Sequence, residues 1–153
     1  PPSAADERFQ QVGTWTSQAT FVGSTRMCLP RTRLSTLEKL PFIMFQKGSR
    51  METLVQAYLD QLKFYPKLVM RSDSAEAIKA MIRAGLGISV LFTWNINVDL
   101  RGKALTVVKT EAPPLNLQMA LLKNKSSYTP GAVQHFITLS RKMNWQNLHP
   151  ERE

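Results

Sequence analysis

The stretch that decides the fold is Asp73–Leu91, DSAEAIKAMIRAGLGISVL. Asp73 and Glu76 stand three apart, the spacing of a capping box that opens a helix. Ala75, Ile78, Met81 and Ile82 recur at helical spacing and give that helix one apolar face. Gly85 ends it, because glycine reaches the left-handed conformation at a helix C-terminus at little cost. Gly87–Phe92 (GISVLF) follows as an unbroken apolar run of strand length. A strand covered on both faces reads this way, as in a parallel sheet.

The residues upstream repeat the pattern. Phe42–Phe45 (FIMF) is another apolar strand, followed by a polar loop, Gln46-Lys47-Gly48-Ser49. Ser49 is the natural cap of a helix whose apolar face is Met51, Leu54, Val55, Tyr58, Leu59 and Leu62. Leu68-Val69-Met70 is a brief strand. The order strand, loop, helix, strand, loop, helix, strand predicts an α/β architecture with a mostly parallel sheet flanked by helices. Further out, Ser35-Thr-Leu-Glu38 matches a second capping box, with Leu37 and Leu40 inward and Pro41 ending the turn. Residues 19–28 alternate and predict a strand carrying Cys28 as a structural thiol. Residues 1–18 are polar without a clear period and read as a lead-in segment.

Downstream of Trp94 and Asn95, a connecting stretch, residues 104–108 and 115–122 predict two more strands. Thr129-Pro130 starts a last helix, with a threonine cap and proline at the first helical position. Val133, Phe136, Ile137, Ser140 and Met143 form its inner face. Residues 144–153 are a polar tail.

Bulk properties narrow the function. The chain has 153 residues, 43% of them hydrophobic, enough for a core. Its apolar runs are too short to span a bilayer, so no membrane contact is expected. The opening PPSAADER has no apolar h-region and no initiating Met and reads as a cut or processed start. Cys28, His135 and His149 lack ligand spacing, so neither a metal nor a cofactor is expected, and a cytoplasmic location is the simplest. The net charge of +9 is spread along the chain, without a Lys/Arg block, and reads mainly as a solvated basic surface. There is no nucleophile elbow, no P-loop and no dinucleotide fingerprint, so no catalytic residue is expected. His135 reads as a surface histidine.

Three segments together resemble the effector-binding (substrate-binding) domain of LysR-type transcriptional regulators. They are the Asp73–Leu91 stretch with its A-G-x-G-I-x-x-L core, the Leu37–Ser49 stretch L-x-x-L-P-F-I-x-x-x-x-G-S, and the closing Thr129–Met143 helix. The likeness runs over about residues 19–143. It implies a periplasmic-binding-protein-like (type II) fold. Residues 19–112 would be the second lobe and 113–143 the returning strand and helix of the first. Several members carry a proline after the glycine-motif strand, where this chain has Phe92-Thr93-Trp94. The family's helix-turn-helix head would lie outside this chain.

The resemblance implies a small-molecule sensor, and the residues suggest where. In an open α/β sheet ligands bind at the C-terminal strand ends, and helix N-termini favour anions. The loop Gln46, Lys47, Gly48, Ser49 and Arg50 has both features, and the resemblance places effector contacts there as well. Ser72 and Ser74 share that geometry around Asp73. Phe92, with Thr93 and Trp94, would wall the cleft. The expected partner is an anionic effector, in a homo-oligomer that touches DNA only through the helix-turn-helix. The alternatives are a fragment of a solute-binding protein and a free-standing protein-interaction module.

Overall fold

The computed structural model describes residues 7–29 and 31–142. Six strands and five helices follow one another as β1 (Phe9–Ser24), α1 (Leu34–Leu37), β2 (Pro41–Phe45), α2 (Arg50–Gln61), β3 (Lys67–Ser72), α3 (Ala75–Arg83), β4 (Ser89–Phe92), α4 (Thr93–Arg101), β5 (Leu105–Val107), β6 (Leu115–Asn124) and α5 (Gly131–Lys142). They divide into two compact units. One is Gln18–Leu115, and the other collects the described residues 7–17 and 116–142.

In Gln18–Leu115, β2 pairs parallel with β3, and a parallel bridge between Phe42 and Ile88 ties β2 to the start of β4. Two backbone bonds make that junction: Ile43 N–H to Ile88 O at 2.8 Å and Ile88 N–H to Pro41 O at 2.9 Å. β1 pairs antiparallel with both β4 and β5. The strand order is therefore β3–β2–β4–β1–β5. β2, β3, β4 and β5 all run one way, and only β1 is reversed. The expected parallel sheet is present, with a reversed strand inserted between β4 and β5.

Residues 42–45 of β2 and all of β4 are buried, as their unbroken apolar sequences require. Phe64 joins the halves of the core, edge-on to Phe21 at 5.1 Å and to Phe42 at 6.1 Å. Val55, Tyr58 and Leu59 are the buried positions of α2, and Ile78 and Ile82 the buried apolar ones of α3. Each such side chain contributes roughly 1.5–3 kcal/mol by leaving water. The glycine motif has two separate causes. Gly85 has φ +80°, a left-handed turn after α3. Gly87 sits where a Cβ would lie 2.4 Å from Pro41 O, so only glycine lets β4 approach β2.

α3 and α4 are joined by ions. The buried Lys79 ammonium reaches Asp99 at 2.8 Å and Glu76 at 2.6 Å, and Arg83 also binds Asp99. Burial is the largest influence on Lys79 and would lower its pKa. The hydrogen bonds and charges of Asp99 and Glu76 together outweigh it, so the pKa stands above the ordinary 10.5.

In the other unit β6 pairs with β1, with Lys125 N–H on Arg8 O and Thr14 Oγ1 on Met119 O. α5 buries Ile137 and Ser140, and Arg141 Nε donates to Val12 O at 2.7 Å.

Several local expectations are corrected. Residues 9–18 are not a lead-in without structure but the first half of β1. That strand ends at Ser24, and the exposed Cys28 caps a 3-10 turn with φ +48° instead of lying on the strand. The stretch after Phe92 is α4. Ser35 lies inside α1, whose cap position is Arg33, and Glu38 accepts the Tyr65 N–H instead of closing a box. α5 begins one residue after Pro130. Val133 and Phe136 are exposed, so its expected inner face narrows to Ile137 and Ser140 among the described residues. Met143 and the tail 144–153 lie outside the described residues.

Candidate functional site

Because β2, β3, β4 and β5 run the same way, their C-terminal ends share one rim of the sheet. The Gln46–Ser49 loop and the Ser72–Ser74 turn lie side by side on it: Gln46 N–H donates to Ser72 O at 2.8 Å. Ser49 caps α2, its Oγ accepting Glu52 N–H at 3.1 Å, and Gly48 takes φ +82° to make the turn. Ser74, not Asp73, caps α3. Its Oγ accepts Ala77 N–H at 3.3 Å, and Ser72 Oγ accepts Ser74 N–H at 3.2 Å.

Not every donor in the loop faces outward. Glu52 accepts Gly48 N–H at 3.3 Å and pairs with Arg71 at 3.3 Å, and Arg71 also donates to Phe45 O. This bolt fixes the ends of β2 and β3 to the first turn of α2. It also places one carboxylate beside the loop, which subtracts from the loop's attraction for an anion. Lys47 and Arg50 are exposed.

Further along the same rim is a cavity of about 490 Å³. Gln18 and Thr20 enter it from β1, Thr93 from the start of α4, and Val107 from β5. Val108, Lys109, Thr110, Ala112 and Pro114 close one side, and Arg31 another. The register places Ala19 opposite Phe92, which brings Gln18 beside Thr93. Arg31 and Lys109 form a parallel bridge. A neighbouring hollow of about 450 Å³ is lined by Arg31, Thr32, Arg33 and Glu111. Leu34 N–H donates to Glu111 at 3.0 Å and is the main reason its carboxyl sits below the ordinary range. Its own amide lowers it next, and Arg33 and Arg31 add to the effect. Behind the cavity Tyr58 donates to Pro113 O at 2.7 Å, tying α2 to the 110–114 stretch. Burial pushes that phenol up to about 12, so it stays a donor.

Of the expected site residues, Gln46, Lys47, Gly48, Ser49, Arg50, Ser72 and Ser74 are brought together. Phe92 is not available: it is fully buried and stacks on Trp94 at 4.4 Å. Thr93, one residue on, is the one that reaches the cavity. Sequence reasoning missed Gln18, Thr20, Arg31, Lys109 and Thr110. The strand-end rule applied after residue 107 would have found Lys109 and Thr110. Nothing in the sequence signals Arg31, or that Gln18 and Thr20 of β1 reach this rim. No group of His, Cys, Asp and Glu suited to a metal occurs among the described residues.

The model of the LysR substrate binding domain matches residues 4–144. The chain belongs to that family. Its fold is the periplasmic-binding-protein-like type II fold. The HTH-type transcriptional activator CmpR of Synechocystis sp. is 27% identical over 119 residues, covering 76% of this chain and 39% of that protein. The RuBisCO operon transcriptional regulator of Acidithiobacillus ferrooxidans is 31% identical over 81 residues, 53% of this chain and 26% of that one. The chain thus spans about two fifths or less of these relatives. Among solved structures, the CcmR regulatory domain of Synechocystis in complex with 2-PG superposes with a TM-score of 0.75 at 22% identity, covering 95% of this chain and 72% of that chain. The likeness to that LysR-family regulatory domain is one of fold.

Proposed function

We propose that the C-terminal rim of the Gln18–Leu115 sheet binds a small anionic effector. The observation that carries this reading is the cavity of about 490 Å³, lined by Thr20, Thr93 and Thr110 together with the cations Arg31 and Lys109. Hydroxyls and an amide fix the orientation of a ligand, and cations supply attraction. The starts of α2, α3 and α4 point the positive ends of their helix dipoles to the same rim. Lys47, Arg50, Ser72 and Ser74 would then guide or complete the anion's contacts.

In the intact regulator the effector would bias a two-state arrangement of a cytoplasmic homo-oligomer whose helix-turn-helix reads DNA. Such a bias requires different affinities for the two states. The role is binding and switching, with no bond made or broken.

The test is a thermal melt of the chain against a panel of small phosphates and carboxylates, 2-PG included. A ligand at about a hundred times its Kd adds about 2.7 kcal/mol and should raise Tm by several degrees. Lys109→Glu should abolish the rise. A panel with no effect, or a rise untouched by Lys109→Glu and Thr93→Val, would contradict the site.

A further inference from the structure

In a layer of βα units, strand starts and helix ends fall on the edge opposite the effector rim. β1, being reversed, finishes there too. That edge gathers cations on four of its turns. Lys39 precedes β2, Lys63 and Lys67 flank the turn from α2 into β3, Arg101 ends α4, Lys103 precedes β5, and Arg26 follows β1. All six are exposed. Bonds across the edge confirm that these turns are neighbours. Tyr65 N–H donates to Glu38 at 2.7 Å, and Thr25 Oγ1 donates to Lys103 O at 2.8 Å. Among the described residues no carboxylate forms an ion pair with any of the six. Glu38 is engaged by Tyr65, Asp60 accepts from Gln56, and Asp99 is held by Lys79 and Arg83.

Helix ends alone explain part of this. The C-termini of α2, α3 and α4 each carry about half a negative charge and favour cations nearby. With the carboxylates of Glu38 and Asp60 they amount to roughly −3.5 against six full positive charges, so an excess remains. The arrangement is also extended. Five strands at about 4.8 Å spacing make an edge of roughly 19 Å, along which the cations sit on separate turns. One small anion cannot meet them all. A repeating polyanion can: duplex DNA carries one charge per roughly 1.7 Å of axis, or about ten over that length.

We propose that this edge binds the phosphate backbone of duplex DNA without reading its sequence. The contact is separate from the effector rim and additional to any sequence-reading head. It would position the sensor domain against DNA, because backbone contacts fix orientation and carry no sequence information.

The experiment is fluorescence anisotropy of a labelled random-sequence duplex titrated with the 153-residue chain, from about 50 to 200 mM salt. Binding is expected with Kd in the range of about 10⁻⁴–10⁻⁶ M and a log–log salt slope of roughly −3 to −5. Reversing Arg26→Glu, Arg101→Glu and Lys103→Glu together should weaken it at least tenfold and flatten the slope by about one per lost contact. The control Lys123→Glu, Lys125→Glu, Lys142→Glu changes net charge equally and should cost less than threefold. Melting curves check that both variants fold. Equal losses in the two variants would overturn the proposal, leaving only net charge. So would no binding at low salt. Equal or tighter binding of labelled poly-glutamate would overturn it in favour of an acidic protein partner.

Discussion

The C-terminal rim and the opposite edge of one sheet carry different chemistry. The rim offers helix starts, threonine hydroxyls and a cavity of about 490 Å³, and part of its charge is already answered: Arg71 by Glu52, Arg31 by the nearby Glu111. The opposite edge offers long, exposed lysine and arginine side chains on separate turns. Both follow from direction. Because four of the strands run one way, α2, α3 and α4 begin at the rim and end at the other edge. Fixed amides and hydroxyls can discriminate between small ligands. Flexible cations attract phosphate but select little.

The comparison can be broken most severely where the two edges are joined. Gly87→Ala puts a Cβ 2.4 Å from Pro41 O and should cost on the order of 3 kcal/mol or more, measured by urea unfolding, with both binding activities lost. Asp99→Asn comes next. It strips a buried Lys79 of its main partner and should cost about 3 kcal/mol. Lys79 titrates above its ordinary 10.5 in the folded chain, so its stabilisation is complete below about pH 10.5 and is lost as pH rises through the folded value. Asp99→Asn should therefore flatten the alkaline fall in stability, and unfolding curves at several pH values will show it.

Smaller changes sharpen the contrast. Thr93→Val should weaken effector binding about tenfold, roughly 1.4 kcal/mol, by calorimetry, while duplex binding stays as it was. Ser49→Ala and Ser74→Ala should each cost about 1 kcal/mol of stability through the lost caps. If the hydroxyls also touch the ligand, effector affinity falls beyond that.

The βαβαβ series from Phe42 to Phe92 was legible because each element obeys its own period. Even the A-G-x-G signal is explained by a left-handed turn and a close approach. α4 was not legible: in TWNINVDLR the inward positions are Ile96 and Asp99, and a buried aspartate held by Lys79 and Arg83 breaks the apolar stripe. The first half of β1 was hidden because only Val12 of residues 9–18 is buried, so alternation never shows. At the site, the loops of β2 and β3 were read from capping residues. The cavity was missed because Arg31, Thr20 and Lys109 meet only through the β1–β4 and β1–β5 pairings and the Arg31–Lys109 bridge, which are long-range. Of the cleft wall expected at Phe92 and Thr93, only Thr93 lines the cavity, because a strand's last residue and the next differ by one step of the pleat.

The central claim is that the rim, and not the opposite edge, receives the small anion. A ¹⁵N–¹H titration of the chain with the small phosphate or carboxylate that raises its Tm most tests it directly. The account predicts shifts clustered at Gln18, Thr20, Thr93, Lys109 and Thr110, with smaller ones at Gln46–Arg50. Shifts centred on Arg26, Lys39 and Lys103, with the rim silent, would contradict it.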